Sequence, residues 1–188
     1  MDVLLIALIT FFAGMGYLLI KQGLTHNVAF EQERVESMNL AYKLHIGDYT
    51  QSGKSMDEIY HTLQEQDIND VTGFGLFYDN PGTTPKDALR SLTGCIVPDI
   101  DSFEHIQHIK TFILPASTAL VATFPYKGNF SIAMGALKVY STLAKYRKRH
   151  EIPEAPVMEI YDMKNKQIIY VVLTGFEKSF LEDMAKGF

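Results

Sequence analysis

The sequence predicts an α+β domain, an antiparallel sheet carrying two main helices, held on an N-terminal transmembrane helix. Three observations predict it. Val3 to Ile20 is an uncharged apolar run. From Leu40 onward, stretches of period-two alternation give way to stretches of helical spacing and back. The order strand, helix, strand, strand then occurs twice, and two such units that each cover one face of a small sheet make an α+β domain with a cleft between the halves.

The 18 residues from Val3 to Ile20 make a helix of about 27 Å at ~1.5 Å per residue, close to the hydrocarbon thickness of roughly 27 Å of a thin bilayer such as that of the endoplasmic reticulum. Its eleven Val, Leu, Ile and Phe residues favour insertion by about 3 to 7 kcal/mol, which Thr10, Gly14 and Gly16 erode only in part. A cleaved signal peptide has a basic stretch before its apolar core and a small-residue cleavage site after it. Here Met1-Asp2 precedes and Tyr17-Leu18-Leu19-Ile20-Lys21 follows. Residues 1–21 are therefore read as a retained anchor contacting the bilayer through residues 3–20. Lys21, Arg34 and Lys43 on the C-terminal side, against Asp2 on the other, place the rest of the chain in the cytosol.

A chain of 188 residues with 47% apolar content has room for one span and one modest core. The net charge of −5 and the absence of a basic stripe argue against nucleic acid as a partner. The run Lys145-Tyr146-Arg147-Lys148-Arg149-His150 sits at a helix end, where cations meet the helix dipole more readily than lipid headgroups. The single cysteine, Cys95, agrees with a reducing compartment and reads as a small hydrophobe in a strand.

Residues 22–38 are polar and read as a juxtamembrane connector or short surface helix. Leu40, Tyr42, Leu44 and Ile46 alternate with Ala41, Lys43 and His45 in a first strand. Gly47-Asp48 and Ser52-Gly53 turn the chain, and Ser55-Met56-Asp57-Glu58 matches a capping box, so a helix is expected from Ser55 to about Asp67 with Ile59, Tyr60 and Leu63 inward. Gly73 to Tyr78 is an aromatic strand, and Leu92 to Val97 another, ended by Pro98. In the second unit, Thr111 to Leu114 and Ala119 to Tyr126 read as one strand bent at Pro115. A helix follows from Gly128-Asn129 to about His150, with Ile132, Leu137, Tyr140 and Leu143 at helical spacing. Met158 to Tyr161 and Gln167 to Leu173 form the closing hairpin. The domain is thus 39–175, followed by a short tail, 176–188.

Four blocks stand in one order: Ala41-Tyr42-Lys43-Leu44-His45-Ile46-Gly47-Asp48-Tyr49, Tyr78-Asp79-Asn80-Pro81, Ala122-Thr123-Phe124-Pro125-Tyr126 and Glu159-Ile160-Tyr161. With the anchor, they resemble membrane-anchored members of the GyrI-like family. The resemblance implies a GyrI-like domain of two βαββ repeats, facing the cytosol from the endoplasmic reticulum, in a receptor for reticulophagy that meets the autophagy machinery. Such receptors carry a long tail with an aromatic-x-x-aliphatic motif that adds a strand to a ubiquitin-like modifier. Phe180-Leu181-Glu182-Asp183 has an acid in the fourth place, and Tyr170-Val171-Val172-Leu173 reads as a core strand. Direct modifier binding is not expected from either.

The resemblance also implies a glutamate in an apolar cleft, and Glu159 matches it; a carboxylate there attracts cationic or electrophilic small molecules. Tyr42, Tyr78, Phe124, Tyr126 and Tyr161 are its expected walls. The plainer reading turns Glu159 to solvent between inward Met158 and Ile160. If catalytic, the same carboxylate makes a membrane-tethered hydrolase of small electrophiles; a third reading is a haem or porphyrin binder. No cofactor is expected. His105-Ile106-Gln107-His108 lacks a third ligand at a telling spacing, so no metal is expected either, and Gly73-Phe74-Gly75 precedes a strand and is no phosphate loop.

Overall fold

The computed structural model of the chain describes residues 3–100, 106, 108–176, 178–184 and 186. Helix α1 (Val3–Lys21) is the apolar run, and none of its side chains is buried. Among the described residues eight strands follow: β1 (Glu31–Val35), β2 (Met38–Ile46), β3 (Thr72–Phe77), β4 (Arg90–Val97), β5 (Lys110–Leu114), β6 (Ser117–Pro125), β7 (Val157–Asp162) and β8 (Gln167–Val172). Helices α2 (Ser52–Glu65), α3 (Asn129–His150) and the short α4 (Lys178–Met184) complete the chain.

The strands form one antiparallel sheet in the order β1-β6-β8-β7-β3-β4-β2-β5. The duplication is visible in that order: β2-α2-β3-β4 and β6-α3-β7-β8 each make a three-stranded unit, and the units meet where β3 pairs with β7. Edge strands β5 and β1 are then added to equivalent partners, β2 and β6.

The sheet is curled, and its connectivity requires this. Strands β5 and β6 stand six places apart, which is about 29 Å across a flat sheet at ~4.8 Å per strand. Only Pro115 and Ala116 join them, and three Cα steps reach at most about 11 Å. The expected single bent strand is therefore two strands near opposite ends of the sheet. Pro115, which has no amide hydrogen to give a ladder, marks the crossing.

Curling gives the sheet two unlike faces. Leu40, Tyr42, Phe74, Leu76, Leu92, Leu114, Met158, Ile160 and Val171 fill the inside of the curl, where Phe176, Phe180 and Met184 of the C-terminal segment pack on them. On the outer face, α2 covers Ala41, Cys95 and Val97 through Ile59 and Leu63. There α3 covers Ala122, Phe124, Val157, Ile168 and Tyr170 through Met134, Val139 and Leu143.

Three local expectations change. Residues 22–38 carry β1, an edge strand whose residues 31–34 are exposed on both faces, with Val28 and Phe30 buried just before it. The polar letters Glu31-Gln32-Glu33-Arg34 hide a strand because an edge needs no apolar face and is protected by charge. Helix α2 starts at Ser52, one turn before the Ser55 box, because Asp48 already caps the preceding turn (Tyr49–Gln51) through Thr50 N at 3.0 Å. Glu58, the acid of that box, instead accepts from Lys43 at 2.8 Å. In α3 the buried line runs through Ser131, Met134, Gly135, Val139 and Leu143, and Leu137 faces outward, as does Tyr60 in α2, where Ile59 and Leu63 alone of the expected three are buried.

Candidate functional site

Antiparallel register places one row of side chains straight across the outer face: Lys43 on β2, Thr93 on β4, Gly75 on β3, Glu159 on β7, Tyr170 on β8 and Ala122 on β6. The next row is Ala41, Cys95, Gly73, Tyr161, Ile168 and Phe124. Because strand side chains alternate, Met158 and Ile160 point into the curl and Glu159 points the other way. That outer side is not solvent. Helix α3 lies over it, and Glu159 is only 5% exposed.

The carboxylate is held by tyrosines. Tyr140, from α3, donates to its Oε1 at 2.9 Å, and Tyr161, two residues along the same strand face, donates to its Oε2 at 3.0 Å. The Tyr170 ring meets the Tyr140 ring edge-on at 6.2 Å. Its own buried hydroxyl has no hydrogen-bond partner among the described residues. Glycines shape the surroundings: Gly75 gives Glu159 a neighbour without a side chain, and Gly135 admits the Tyr170 hydroxyl against α3, where a Cβ would lie 2.7 Å from it and 2.9 Å from the Phe124 ring.

Burial raises the Glu159 carboxyl to about 7, with the two tyrosyl hydrogen bonds pulling back only in part. Tyr140 and Tyr161 are pushed well up, first by burial and then by the negative charge of Glu159 beside them. Tyr170 rises for the same two reasons. Among the described residues no lysine or arginine pairs with Glu159. The site is thus a buried acid with two hydroxyl donors and no countercharge, able to sit neutral near pH 7 or to ionise against an incoming cation.

Of the expected cleft residues, Glu159, Tyr161 and Phe124 share this face, with Tyr126 packed at its end. Tyr42 and Tyr78 lie inside the curl, on the opposite side of the sheet, where burial raises both hydroxyls. Tyr78-Asp79 after β3 and Tyr161-Asp162 at the end of β7 therefore share letters but not orientation. Asp79 is used structurally: its carboxylate accepts twice from the Arg90 guanidinium, at 2.8 and 3.0 Å, and these bonds, with the Arg90 amide, hold it below the usual carboxylate range against the opposing effect of burial. Sequence spacing placed Tyr140 on the core side of α3 but not against Glu159, and no spacing signal marks Tyr170, because cross-strand register is invisible in one dimension. Among the described residues no three His, Cys, Asp or Glu side chains gather as a metal site; His105 lies outside them.

Gly135→Ala is expected to destabilise the fold by about 1–2 kcal/mol, overpacking against Tyr170 and Phe124 outweighing the helix propensity gained. Denaturant unfolding checks the size, and loss of the Tyr140–Tyr170 ring contact is readable in near-ultraviolet circular dichroism.

Known proteins are similar to this chain in sequence and in fold. The chain is 28% identical over 167 residues to human testis-expressed protein 264, a match covering 84% of this chain and 51% of that one. It is 29% identical over 136 residues to the mouse testis-expressed protein 264 homologue, covering 68% and 42%. The chain thus spans about half the length of the curated relatives it matches. In fold it is similar to the EcmrR C-terminal domain, with a TM-score of 0.55 and 14% identity over 77% of this chain and 96% of that one. Residues 29–171 match the GyrI-like small molecule binding domain model, so the chain belongs to the GyrI-like family.

Proposed function

We propose that the outer face between α2 and α3 binds a small lipophilic cation, with Glu159 as counterion and Tyr140, Tyr161, Tyr170 and Phe124 as aromatic walls. The observation that carries this reading is the buried Glu159 carboxyl with two hydroxyl donors and, among the described residues, no basic partner. A carboxylate in low dielectric is costly unless neutralised, by a proton when the site is empty or by a cation when it is full. Aromatic faces add cation–π attraction. Binding is favoured over hydrolysis because both carboxylate oxygens are engaged by tyrosines, which leaves neither free to activate a water.

The test is titration of the full chain, in zwitterionic nanodiscs, with a fluorescent aromatic monocation such as ethidium. Saturable binding that weakens at least tenfold in Glu159→Gln supports the reading; equal binding by both proteins, or none by either, rejects it.

The likeness to testis-expressed protein 264 supports a further placement: the anchor in the endoplasmic reticulum membrane, the domain in the cytosol, and a role in reticulophagy. Starvation should then deliver the protein to lysosomes, and a glycan acceptor added after Phe188 should stay unmodified. Any contact with an autophagy modifier would not use Tyr170 to Leu173 as an added strand, since β8 is already paired on both sides, with β6 and β7.

A further inference from the structure

Helix α3 has an outer face that the domain does not cover. Phe130, Ala133, Leu137, Ser141 and Ala144 are all exposed, with Phe130 at 52% and Leu137 at 69%. Their spacing of three, four, four and three residues keeps them on one stripe of an α-helix. From Asn129 to Ala144 the helix has a single charged residue, Lys138, and that one is committed elsewhere. Surface helices ordinarily show a charged outer face, so an apolar stripe of four turns points to a partner.

Lys138 indicates which partner. Its ammonium donates to the carbonyls of Leu24 at 2.5 Å, His26 at 2.6 Å and Gly23 at 3.5 Å, all within six residues of the end of the apolar run at Ile20. Gly23 lies against Phe124, where a Cβ would come within 2.7 Å of the ring, and Leu19, inside the anchor, packs on the cluster beneath α3. Helix α1 otherwise projects free of the domain. The side of the domain that meets the end of the anchor is therefore the α3 side. Beyond the stripe, the last turns of α3 carry Lys145, Lys148 and Arg149, exposed, in a helix with no acidic residue and a chain whose net charge is −5.

We propose that the outer face of α3 lies on the bilayer that holds the anchor, with Phe130 and Leu137 at the acyl boundary and Lys145, Lys148 and Arg149 on headgroup phosphates. Apolar side chains on one part of a helix and cations on the other are what an interfacial helix requires. The domain is then held in a fixed orientation against the membrane. The proposal rests on the anchor reading and is independent of the cation site.

The chain contains no tryptophan, so a single introduced indole reports its own surroundings. Phe130→Trp and Leu137→Trp replace exposed side chains, and Tyr60→Trp, exposed on α2, is the control. Each full-length variant is placed in nanodiscs of phosphatidylcholine and phosphatidylserine, with and without acyl-brominated lipid. The expected result is a blue-shifted emission, at least halved by brominated lipid, for the two α3 variants, and a water-like, unquenched emission for Tyr60→Trp. Water-like, unquenched α3 variants in discs that retain the protein overturn the proposal while leaving the anchor standing. Equal quenching of all three overturns the fixed orientation. Failure of the protein to stay in discs overturns the anchor and this proposal together.

Discussion

Glu159→Gln is expected to make the folded protein more stable above pH 7, by about 1–3 kcal/mol, while abolishing its response to cations. The gain follows from linkage. Below about pH 4.5 the Glu159 carboxyl is protonated in both folded and unfolded chains, and nothing is lost. Between there and about 7, its folded value, the unfolded chain releases its proton and the folded chain keeps it, so stability falls as pH rises. Above 7 the full penalty is present, up to about 3 kcal/mol at ~1.4 kcal/mol per unit. Glutamine has the same shape and no charge to desolvate. It still accepts from one tyrosine but turns an amide toward the other, which returns about 1 kcal/mol of the gain. Denaturant melts of both proteins from pH 4 to 8 check this. The two curves should diverge across the window from 4.5 to 7 and run parallel above it; parallel curves throughout would mean that Glu159 titrates as an ordinary exposed acid.

Deleting residues 1–21 is expected to move the protein from the carbonate-resistant membrane pellet wholly into the soluble fraction. An insertion free energy of about 3 to 7 kcal/mol corresponds to a lipid preference of roughly 10² to 10⁵, and the chain has no second helix of that length and apolarity among its described residues. The domain should survive the deletion. No side chain of α1 is buried, and only Leu19 packs against the core. A melting temperature within a few degrees of the full-length protein is expected. A full-length protein released by carbonate would remove the anchor from the account.

The parts of the fold legible in the sequence are those with a sustained apolar pattern. Leu40, Tyr42, Leu44 and Ile46 alternate with Ala41, Lys43 and His45 in β2, whereas β3, β4, β7 and β8, with a helix on one side and the interior of the curl on the other, are buried on both faces and read as short apolar runs. In β7 the outward residue is Glu159, which alternation alone would turn to water. β1 was not legible: Glu31-Gln32-Glu33-Arg34 is exposed on both faces and owes its extended form to hydrogen bonds with β6, more than eighty residues away. The separation of β5 from β6 was hidden for a related reason, since Pro115 signals an interruption but not the distance crossed. In α3, helical spacing fits both the buried line through Val139 and the exposed one through Leu137. What chooses between them is the uncovered surface near the anchor, which no local pattern records.

At the site, Glu159 and Tyr161 follow from their letters, because residues two apart in a strand share a face. Tyr42 and Tyr78 went to the other face because parity within a strand says nothing about which side its partner strand presents. Tyr140 reaches Glu159 from a helix nineteen residues earlier, and Tyr170 reaches the site through register with β7. These are tertiary facts, and the site is largely made of them.

The most direct measurement of the central claim is the number of protons released when a cation binds. Calorimetric titration of the full chain with ethidium at pH 6, in buffers of different ionisation enthalpy, gives that number. A carboxyl with a midpoint near 7 is about nine-tenths protonated at pH 6 and must ionise to serve as counterion. Close to one proton is expected to be released per cation bound, and none in Glu159→Gln. Cation binding with no proton released by the unaltered protein would contradict the claim.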